Sequence, residues 1–194
     1  DLNSLFVIND YMKKDLERDN LRSIVLSRNA NFAPHRYPIL YSGHNIISFE
    51  VLKLLPLFNI TASNIGVSFW SHDVGGSILG IEDSELYIRS VEFSVFSPIL
   101  RFNTESGNYY KREPWRWDVK TYTIVKTYCN LRHRLIPYIY TEAYNYHKTG
   151  LPIVEPLYYY YPEIVDEPTY KNEYFFGSQL LVAPITKPKD EVMN

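Results

Sequence analysis

One junction in the chain constrains the fold more than any other: a strongly apolar run that leads into a His-Asp pair and then a Gly-Gly pair. The run Ile65-Gly66-Val67-Ser68-Phe69-Trp70 has the length and the β-forming content of a buried strand. In parallel α/β barrels, reactive groups collect where strands end, so His72 and Asp73 are candidate site residues. Alternatively, both side chains only cap the following turn, with Asp73 accepting hydrogen bonds from backbone amides.

The same pattern recurs along the chain and predicts a repeated strand-helix unit. The other predicted strands and the polar side chains that follow them are residues 21–26 with Arg28, 37–41 with His44, and 96–102 with Asn103. Apolar residues at helical spacing predict helices over residues 6–19, 49–58 and 83–93. Because parallel strands end at one edge, four polar ends in register favour a shared pocket over four independent caps.

The C-terminal part of the chain has a different texture. Residues 119–148 form the longest helical pattern, which Pro137 must kink or break and Gly150 must end. Beyond Leu151 the tyrosine-rich and aliphatic segments predict strands and turns without helices. We therefore predict two parts, a barrel part at residues 1–150 and a β-rich part at residues 151–194.

Composition excludes several classes of protein. With 20 Lys and Arg against 22 Asp and Glu the formal charge is −2, so neither nucleic acid nor an anionic membrane is an expected partner. The single cysteine, Cys129, excludes a disulfide framework and a Cys-rich metal site. No apolar run approaches the roughly 18 residues of a membrane span. Hydrophobic residues make up 45% of the chain, enough for a folded core.

Aromatic residues crowd the loop over residues 107–117, which contains two tyrosines and two tryptophans. Such a loop suits a rim on which flat ligands stack. Packing of the same rings against the next helix is an equally good interpretation.

The segment Ser68–Gly76 resembles the Trp-x-x-Asp-Ile-Gly-Gly signature of glycoside hydrolase family 31, which contains α-glucosidases and α-xylosidases. Further motifs match in the family's order. They are Arg36-Tyr37-Pro38, Phe96-Ser97-Pro98-Ile99-Leu100-Arg101, Arg134-Leu135-Ile136-Pro137-Tyr138-Ile139-Tyr140, and Gly177-x-x-Leu180-Leu181-Val182-Ala183-Pro184. The resemblance covers nearly the whole chain, and so many ordered motifs make chance a poor explanation.

The resemblance implies a fold and a chemistry. It implies the second half of a (β/α)8 TIM barrel, followed by the start of the proximal C-terminal β-domain. It also implies retaining hydrolysis of α-linked glycosides by two carboxylates about 5 Å apart. The nucleophilic aspartate would lie on a strand before Asp1, and both ends of the chain look cut from a longer protein.

Two positions depart from the family's pattern. His44 follows Gly43 where the family has its acid/base aspartate, and Asn103 stands where the family has a sugar-binding histidine. Arg28 matches the arginine that holds the sugar in the first subsite. The resemblance makes His44 the candidate catalytic residue. The candidate substrate-binding residues are Arg28, Tyr41, Trp70, His72, Asp73 and Asn103.

An imidazolium can act as a general acid near neutral pH, but its charge repels an oxocarbenium-like transition state, so we expect slow hydrolysis. Asp73 and Glu105 are weaker alternatives, because Asp73 already matches a structural aspartate of the signature. Three hypotheses remain: an α-glucosidase with a weakened site, a non-catalytic carbohydrate-binding relative, and a structural module. The expected partners are an oligosaccharide or α-glucoside and the rest of the barrel, and we expect no cofactor and no metal.

Overall fold

The computed structural model describes residues 5–28, 36–37 and 39–192. Pro38, which belongs to the predicted strand at residues 37–41 and to the motif Arg36-Tyr37-Pro38, lies outside the described residues. The α-helices are α1 Tyr11–Glu17, α2 Phe49–Ser63, α3 Ser84–Val95, α4 Val119–Arg134, α5 Ile136–Thr149 and α6 Lys189–Val192. The strands are β1 Leu26–Ser27, β2 Ile39–Tyr41, β3 Ile46–Ile47, β4 Phe69–Asp73, β5 Ile78–Gly80, β6 Ile99–Arg101, β7 Val154–Pro156, β8 Tyr174–Phe176 and β9 Leu180–Val182.

Four strands form a parallel sheet in the order β1-β2-β4-β6. The helices α2 and α3 connect β2 to β4 and β4 to β6, which is the alternation that the sequence predicts. The parallel register places the carboxyl ends of all four strands at one edge of the sheet. A small parallel pair, β3 with β5, lies beyond that edge in the connecting loops.

The predicted position of strand β4 is wrong, because the strand begins four residues later than the apolar run indicates. It covers Phe69–Asp73, where Ser71, His72 and Asp73 pair with residues 99–101 of β6. The polar residues therefore belong to the strand itself and do not follow it. The hydrogen bonds made by Ser71, by Asp73 and by Nε2 of His72 lower the cost of burying these polar side chains.

Local signals fix the helices. Ser48 and Asp83 accept hydrogen bonds from the backbone amides of Val51 and Leu86, so each caps the start of a helix. The predicted long helix is divided into α4 and α5 at Leu135, two residues before Pro137. The end of α5 is Gly150, whose φ of 79° suits glycine.

The N-terminal helical segment exposes apolar side chains. A π-helical turn, Leu5–Asp10, continues into α1, but the apolar side chains Val7, Ile8 and Tyr11 on this predicted helix are exposed. The first predicted strand, residues 21–26, overlaps the observed strand β1 only at Leu26, and β1 forms one edge of its sheet.

None of the described helices is long and apolar enough to cross a bilayer.

The strands β7, β8 and β9 form an antiparallel sheet that packs on α2. The Ser63 hydroxyl donates to the Val154 carbonyl at 2.6 Å, and the Tyr174 hydroxyl donates to the Phe96 carbonyl at 2.9 Å. Phe93, Tyr174 and Phe176 belong to one buried cluster with Leu52 and Leu55 of α2. The C-terminal β-sheet thus shares its core with the α/β part. The division at residue 150 stays a prediction.

Candidate active site at the carboxyl ends of the parallel strands

Three neighbouring strands bring Tyr41, Asp73 and Arg101 together. Register pairs Tyr41 with Ser71 and Asp73 with Arg101, so these side chains share one face of the sheet. Nη2 of Arg101 lies 2.5 Å from Oδ1 of Asp73, and the Tyr41 hydroxyl donates to Oδ2 of Asp73 at 3.1 Å. The guanidinium also lies 4.5 Å from the centre of the Tyr41 ring.

The Asp73 carboxylate is fully buried, and both of its oxygens accept hydrogen bonds. Burial, and then the negative charge of Asp73, raises the pKa of the Tyr41 phenol above its usual value. The phenol therefore stays protonated and keeps donating to Asp73. This arrangement holds Asp73 in place, and it does not leave the carboxyl group as a free proton donor.

Arg28 and His44 lie beside this group. Gly43 has a φ of 91°, and a Cβ built there would lie 2.8 Å from Cζ and Nε of Arg28, so the guanidinium packs directly on Gly43. The next side chain, His44, is exposed, and its ring meets the Tyr41 ring edge to face with centroids 6.1 Å apart. Arg28, Tyr41, His44 and Asp73 therefore lie at one edge of the sheet, and the strand pattern predicts this position for Arg28, His44 and Asp73.

The structure does not bring His72 and Trp70 into this group. They alternate with Ser71 and Asp73 along β4 and point to the opposite face of the sheet. Trp70 packs with Leu40, Ala62 and Val67 on the side of α2. The expectation that His44 and His72 share one pocket is therefore not met.

The environment of His72 is that of a core side chain. Its Nε2 lies 2.9 Å from the Ser94 hydroxyl oxygen of α3, and its ring stacks on Phe93 with centroids 5.0 Å apart. Burial, and then the charge of Arg101, lowers the pKa of His72 to about 4. The imidazole is consequently neutral near pH 7.

Asn103 lies two residues beyond β6 and lines an open pocket of about 620 Å³. The aromatic loop forms another wall of this pocket, where Trp115 is 74% exposed. Other rings of the loop pack inward, since Trp117 stacks on Tyr87 with centroids 4.9 Å apart. The packing interpretation therefore holds for Trp117, and the stacking of a ligand on Trp115 stays a prediction.

A buried ion pair fixes the aromatic loop. Arg112 makes two hydrogen bonds to the Glu82 carboxylate, at 2.9 and 3.1 Å, and donates through Nε to the Gly76 carbonyl at 2.7 Å. The Tyr110 hydroxyl accepts a hydrogen bond from the Leu79 amide at 3.0 Å. The loop is therefore tied to the residues that follow β4.

Sequence reasoning missed Arg101 and Ser71 as members of the group. Arg101 donates through Nε to the Ser71 hydroxyl at 3.4 Å, in addition to its bond with Asp73. The available signal was register, because Arg101 ends the strand next to the one that ends at Asp73. Among the described residues, no cluster of three His, Cys, Asp or Glu side chains has the arrangement of a metal site.

The chain matches two family models. The Glycosyl hydrolases family 31 TIM-barrel domain matches residues 4–142, and the Glycosyl hydrolase family 31 C-terminal domain matches residues 150–194. These matches confirm the predicted fold class, part of a barrel domain followed by a C-terminal domain.

Individual relatives agree with the family models. The chain is 34% identical over 181 residues to alpha-glucosidase 2 of Bacillus thermoamyloliquefaciens, covering 91% of this chain and 22% of that protein. It is 32% identical over 173 residues to neutral alpha-glucosidase C of Mus musculus, covering 89% of this chain and 19% of that protein. The chain thus spans about a fifth of the length of these relatives.

A solved structure shows the same fold with a TM-score of 0.86 and 27% identity, covering 94% of this chain and 18% of the other. It is an uncharacterized protein from Listeria monocytogenes EGD-e, in complex with alpha-D-glucose, beta-D-glucose, magnesium and calcium. The architecture seen here is therefore present within a much larger protein.

Proposed function

Since the chain belongs to glycoside hydrolase family 31, we propose that the protein hydrolyses α-linked glucosides with retention of configuration. This chain would supply the acid/base side of the site. The observation that carries the proposal is the grouping of Arg28, Tyr41, His44 and Asp73 at the carboxyl ends of adjacent parallel strands. That edge is where barrel enzymes place their chemistry.

In the proposed reaction, His44 is the general acid and base. Its imidazolium donates a proton to the glycosidic oxygen while an aspartate from the preceding part of the barrel attacks the anomeric carbon. The neutral imidazole then takes a proton from the water that hydrolyses the glycosyl-enzyme intermediate. The exposure of His44 supports this role, because the ring is accessible to a ligand at the carboxyl ends of the strands.

The proposed rate is low for an electrostatic reason. An oxocarbenium-like transition state is stabilised by a nearby carboxylate, which an acid/base aspartate supplies once it has lost its proton. An imidazole supplies no negative charge in either protonation state. The guanidinium of Arg28, packed on Gly43, also has no carboxylate partner at position 44.

The neighbouring residues would bind the sugar. Arg28 carries donors suited to sugar hydroxyls, and Asn103 carries an amide that can both donate and accept. Asp73 would position Arg101 and Tyr41 through the hydrogen bonds described above and take no part in proton transfer. His72 and Trp70, on the other face of β4, would support the strand from the core.

A second candidate function is carbohydrate binding without turnover. It is favoured by one observation, the coincidence of His44 and Asn103 at the two positions that depart from the family's pattern. The pocket lined by Asn103 and the exposed Trp115 would remain suited to a saccharide.

Turnover and binding separate the two candidates. The full-length protein is incubated with 4-nitrophenyl α-glucoside, and release of nitrophenol that is lost in an Arg28→Ala variant supports the hydrolase. His147→Ala, at an exposed position of α5, is the matched control for nonspecific effects. Heat of binding with maltose or isomaltose in calorimetry, without turnover of any α-glycoside, supports the second candidate. Absence of both turnover and heat excludes both.

A further inference from the structure

A pocket of about 470 Å³ opens between α5 and the antiparallel sheet of β7, β8 and β9. This volume lies in the range of small-molecule sites. None of its lining residues lies on the parallel strands that carry the candidate active site. Its main features are two glutamates, Glu142 and Glu155, and three aromatic rings, those of Tyr160, Tyr161 and Phe175.

The pocket concentrates negative charge. Glu142 on α5 and Glu155 on β7 are each only 8% exposed, yet both line the same space. Among the described residues that form its walls, none is a lysine, an arginine or a histidine. Burying carboxylates without a positive partner is costly, so a site of this kind favours a ligand that brings a positive charge.

The hydrogen bonds leave one carboxylate oxygen free for a ligand. Glu142 accepts from the Ser178 hydroxyl at 2.7 Å and from the Asn145 amide at 3.3 Å. Oε2 of Glu155 accepts a short hydrogen bond from the Tyr160 hydroxyl. No donor within the described part of the chain reaches Oε1 of Glu155. The residue Glu155 is more than nine-tenths buried and lines the pocket.

The aromatic rings add a second preference for a cation. Tyr160 and Phe175 meet edge to face, with centroids 5.5 Å apart. Phe175 pairs with Glu155 across β7 and β8, so the ring and the carboxylate share one face of the sheet. The faces of such rings attract ammonium and guanidinium groups. The hydrogen bond to Glu155 raises the pKa of Tyr160 to about 12, so its hydroxyl stays a donor.

We propose that this pocket binds one organic cation, a guanidinium or ammonium group on a short apolar stem. The charged head would lie at Oε1 of Glu155 and near Glu142, with the stem against Phe175 and Tyr161. A neutral saccharide would leave both carboxylates without a positive partner. A bare metal ion would be too small for the volume and would meet only two acidic side chains. The proposal is independent of glycoside hydrolysis.

Calorimetry with n-butylguanidinium tests the proposal on the full-length protein. We expect one equivalent to bind near the pocket's glutamates, and Glu155→Gln to weaken binding by about tenfold or more, because a charged hydrogen-bond partner is lost. Glu142→Gln should weaken it as well. Tyr160→Phe should not weaken it, since the ring remains and Oε2 of Glu155 is released. Glu163→Gln, on an exposed turn nearby, is the matched control and should bind like the unchanged protein.

Two further ligands show whether the bound cation belongs to a polypeptide or to a small molecule, and whether the pocket binds a neutral sugar. If N-acetyl-arginine amide binds as well as n-butylguanidinium, the pocket accepts a polypeptide side chain, and if it does not, the ligand is a small free cation. Maltose should not bind here. Two results would overturn the proposal. The first is binding of maltose that Glu155→Gln weakens. The second is an unchanged affinity for n-butylguanidinium in Glu155→Gln when the variant keeps its melting temperature.

Discussion

Arg101 and Asp73 form a charged pair across two adjacent parallel strands, with Nη2 and Oδ1 2.5 Å apart. The Asp73 side chain is completely buried, whereas the Arg101 side chain is 25% exposed. The pair connects β4 to β6 at the edge where the candidate site lies. Tyr41 of β2 completes the connection through its hydrogen bond to Asp73, so three strands are fixed by one carboxylate.

We expect Asp73→Asn to lower the free energy of unfolding by about 3 kcal/mol, because Arg101 loses its charged partner in a largely buried place. Chemical denaturation measures the change. The control is Asp15→Asn, whose pair with Arg18 is largely exposed and contributes little. Equal stability of the two variants would show that the buried pair does not hold the strands.

A second prediction concerns Arg132, which caps the end of α3. Its guanidinium donates to the carbonyls of Val95, Ser97 and Pro98 at 2.7, 2.5 and 2.7 Å. Arg132→Ala leaves these acceptors without their donor, and we expect a loss of about 2–3 kcal/mol. Arg132→Lys should recover only part, because an ammonium group lacks the planar fork of donors.

The control for Arg132 is Arg134→Ala, since Arg134 is an exposed arginine on the same helix. Its stability in urea should match that of the unchanged protein. A lysine variant as stable as the arginine protein would mean that charge alone, without the three directed hydrogen bonds, supports the helix end.

Stability should also depend on pH through His72. Burial and the charge of Arg101 lower its pKa to about 4 in the folded state, against about 6.5 in the unfolded chain. Between these values the unfolded state binds more protons, so the free energy of unfolding falls as the pH falls through this window. The full loss from this group is about 3 kcal/mol, and it is complete below the folded-state pKa.

Urea denaturation at several pH values between 4 and 7 tests this dependence. The slope of the free energy of unfolding against pH should correspond to the uptake of roughly one proton on unfolding. In His72→Gln the slope over this window should be smaller, although the variant is less stable at every pH. His133→Gln, at an exposed position, should keep the slope. An unchanged slope in His72→Gln would assign the proton to another group.

His72 also shows where prediction from the sequence ends. The sequence predicts a strand and polar residues near its end, and both exist, but the predicted strand begins four residues before the observed one. Side chains alternate between the two faces of a sheet, so the face of His72 depends on single-residue register. Apolar composition cannot supply that register, because Ser71, His72 and Asp73 look like loop residues until their partners are known.

Other features could be predicted because their signals are local. Pro137 and Gly150 mark the start and the end of α5, since each restricts or permits particular backbone angles. The convergence of Arg28 and His44 follows from parallel strands ending at one edge. The partners of Arg101 and Arg112 could not be predicted, because hydrogen bonds between distant residues depend on packing and leave no periodic pattern.

The ion pair of Arg112 with Glu82 gives a prediction for the aromatic loop. The two side chains are 4% and 8% exposed. Glu82→Gln leaves the Arg112 guanidinium buried without a counter-charge, and we expect a loss of about 3 kcal/mol. Because this pair ties the loop to the residues after β4, the exposed Trp115 should become more mobile.

Tryptophan fluorescence anisotropy below the melting temperature measures that mobility. Glu113→Gln is the control, since its ion pair with Arg116 in the same loop is more exposed, with 47% of the Glu113 side chain and 29% of the Arg116 side chain accessible. If Glu82→Gln has the same anisotropy as the unchanged protein, the ring contacts, such as Trp117 on Tyr87, hold the loop by themselves.

The last prediction concerns the chemistry at position 44. His44→Asp places a carboxyl group beside Tyr41 and next to the guanidinium that packs on Gly43. It then supplies both a proton and a compensating negative charge, so we expect hydrolysis of aryl α-glucosides to rise by about 10²–10⁴-fold in kcat/KM. His44→Asn, which has the size of aspartate but cannot donate a proton as an acid, should stay at or below the original rate. An equal rate in all three proteins would mean that the proton comes from another group, and the role proposed for His44 would have to be abandoned.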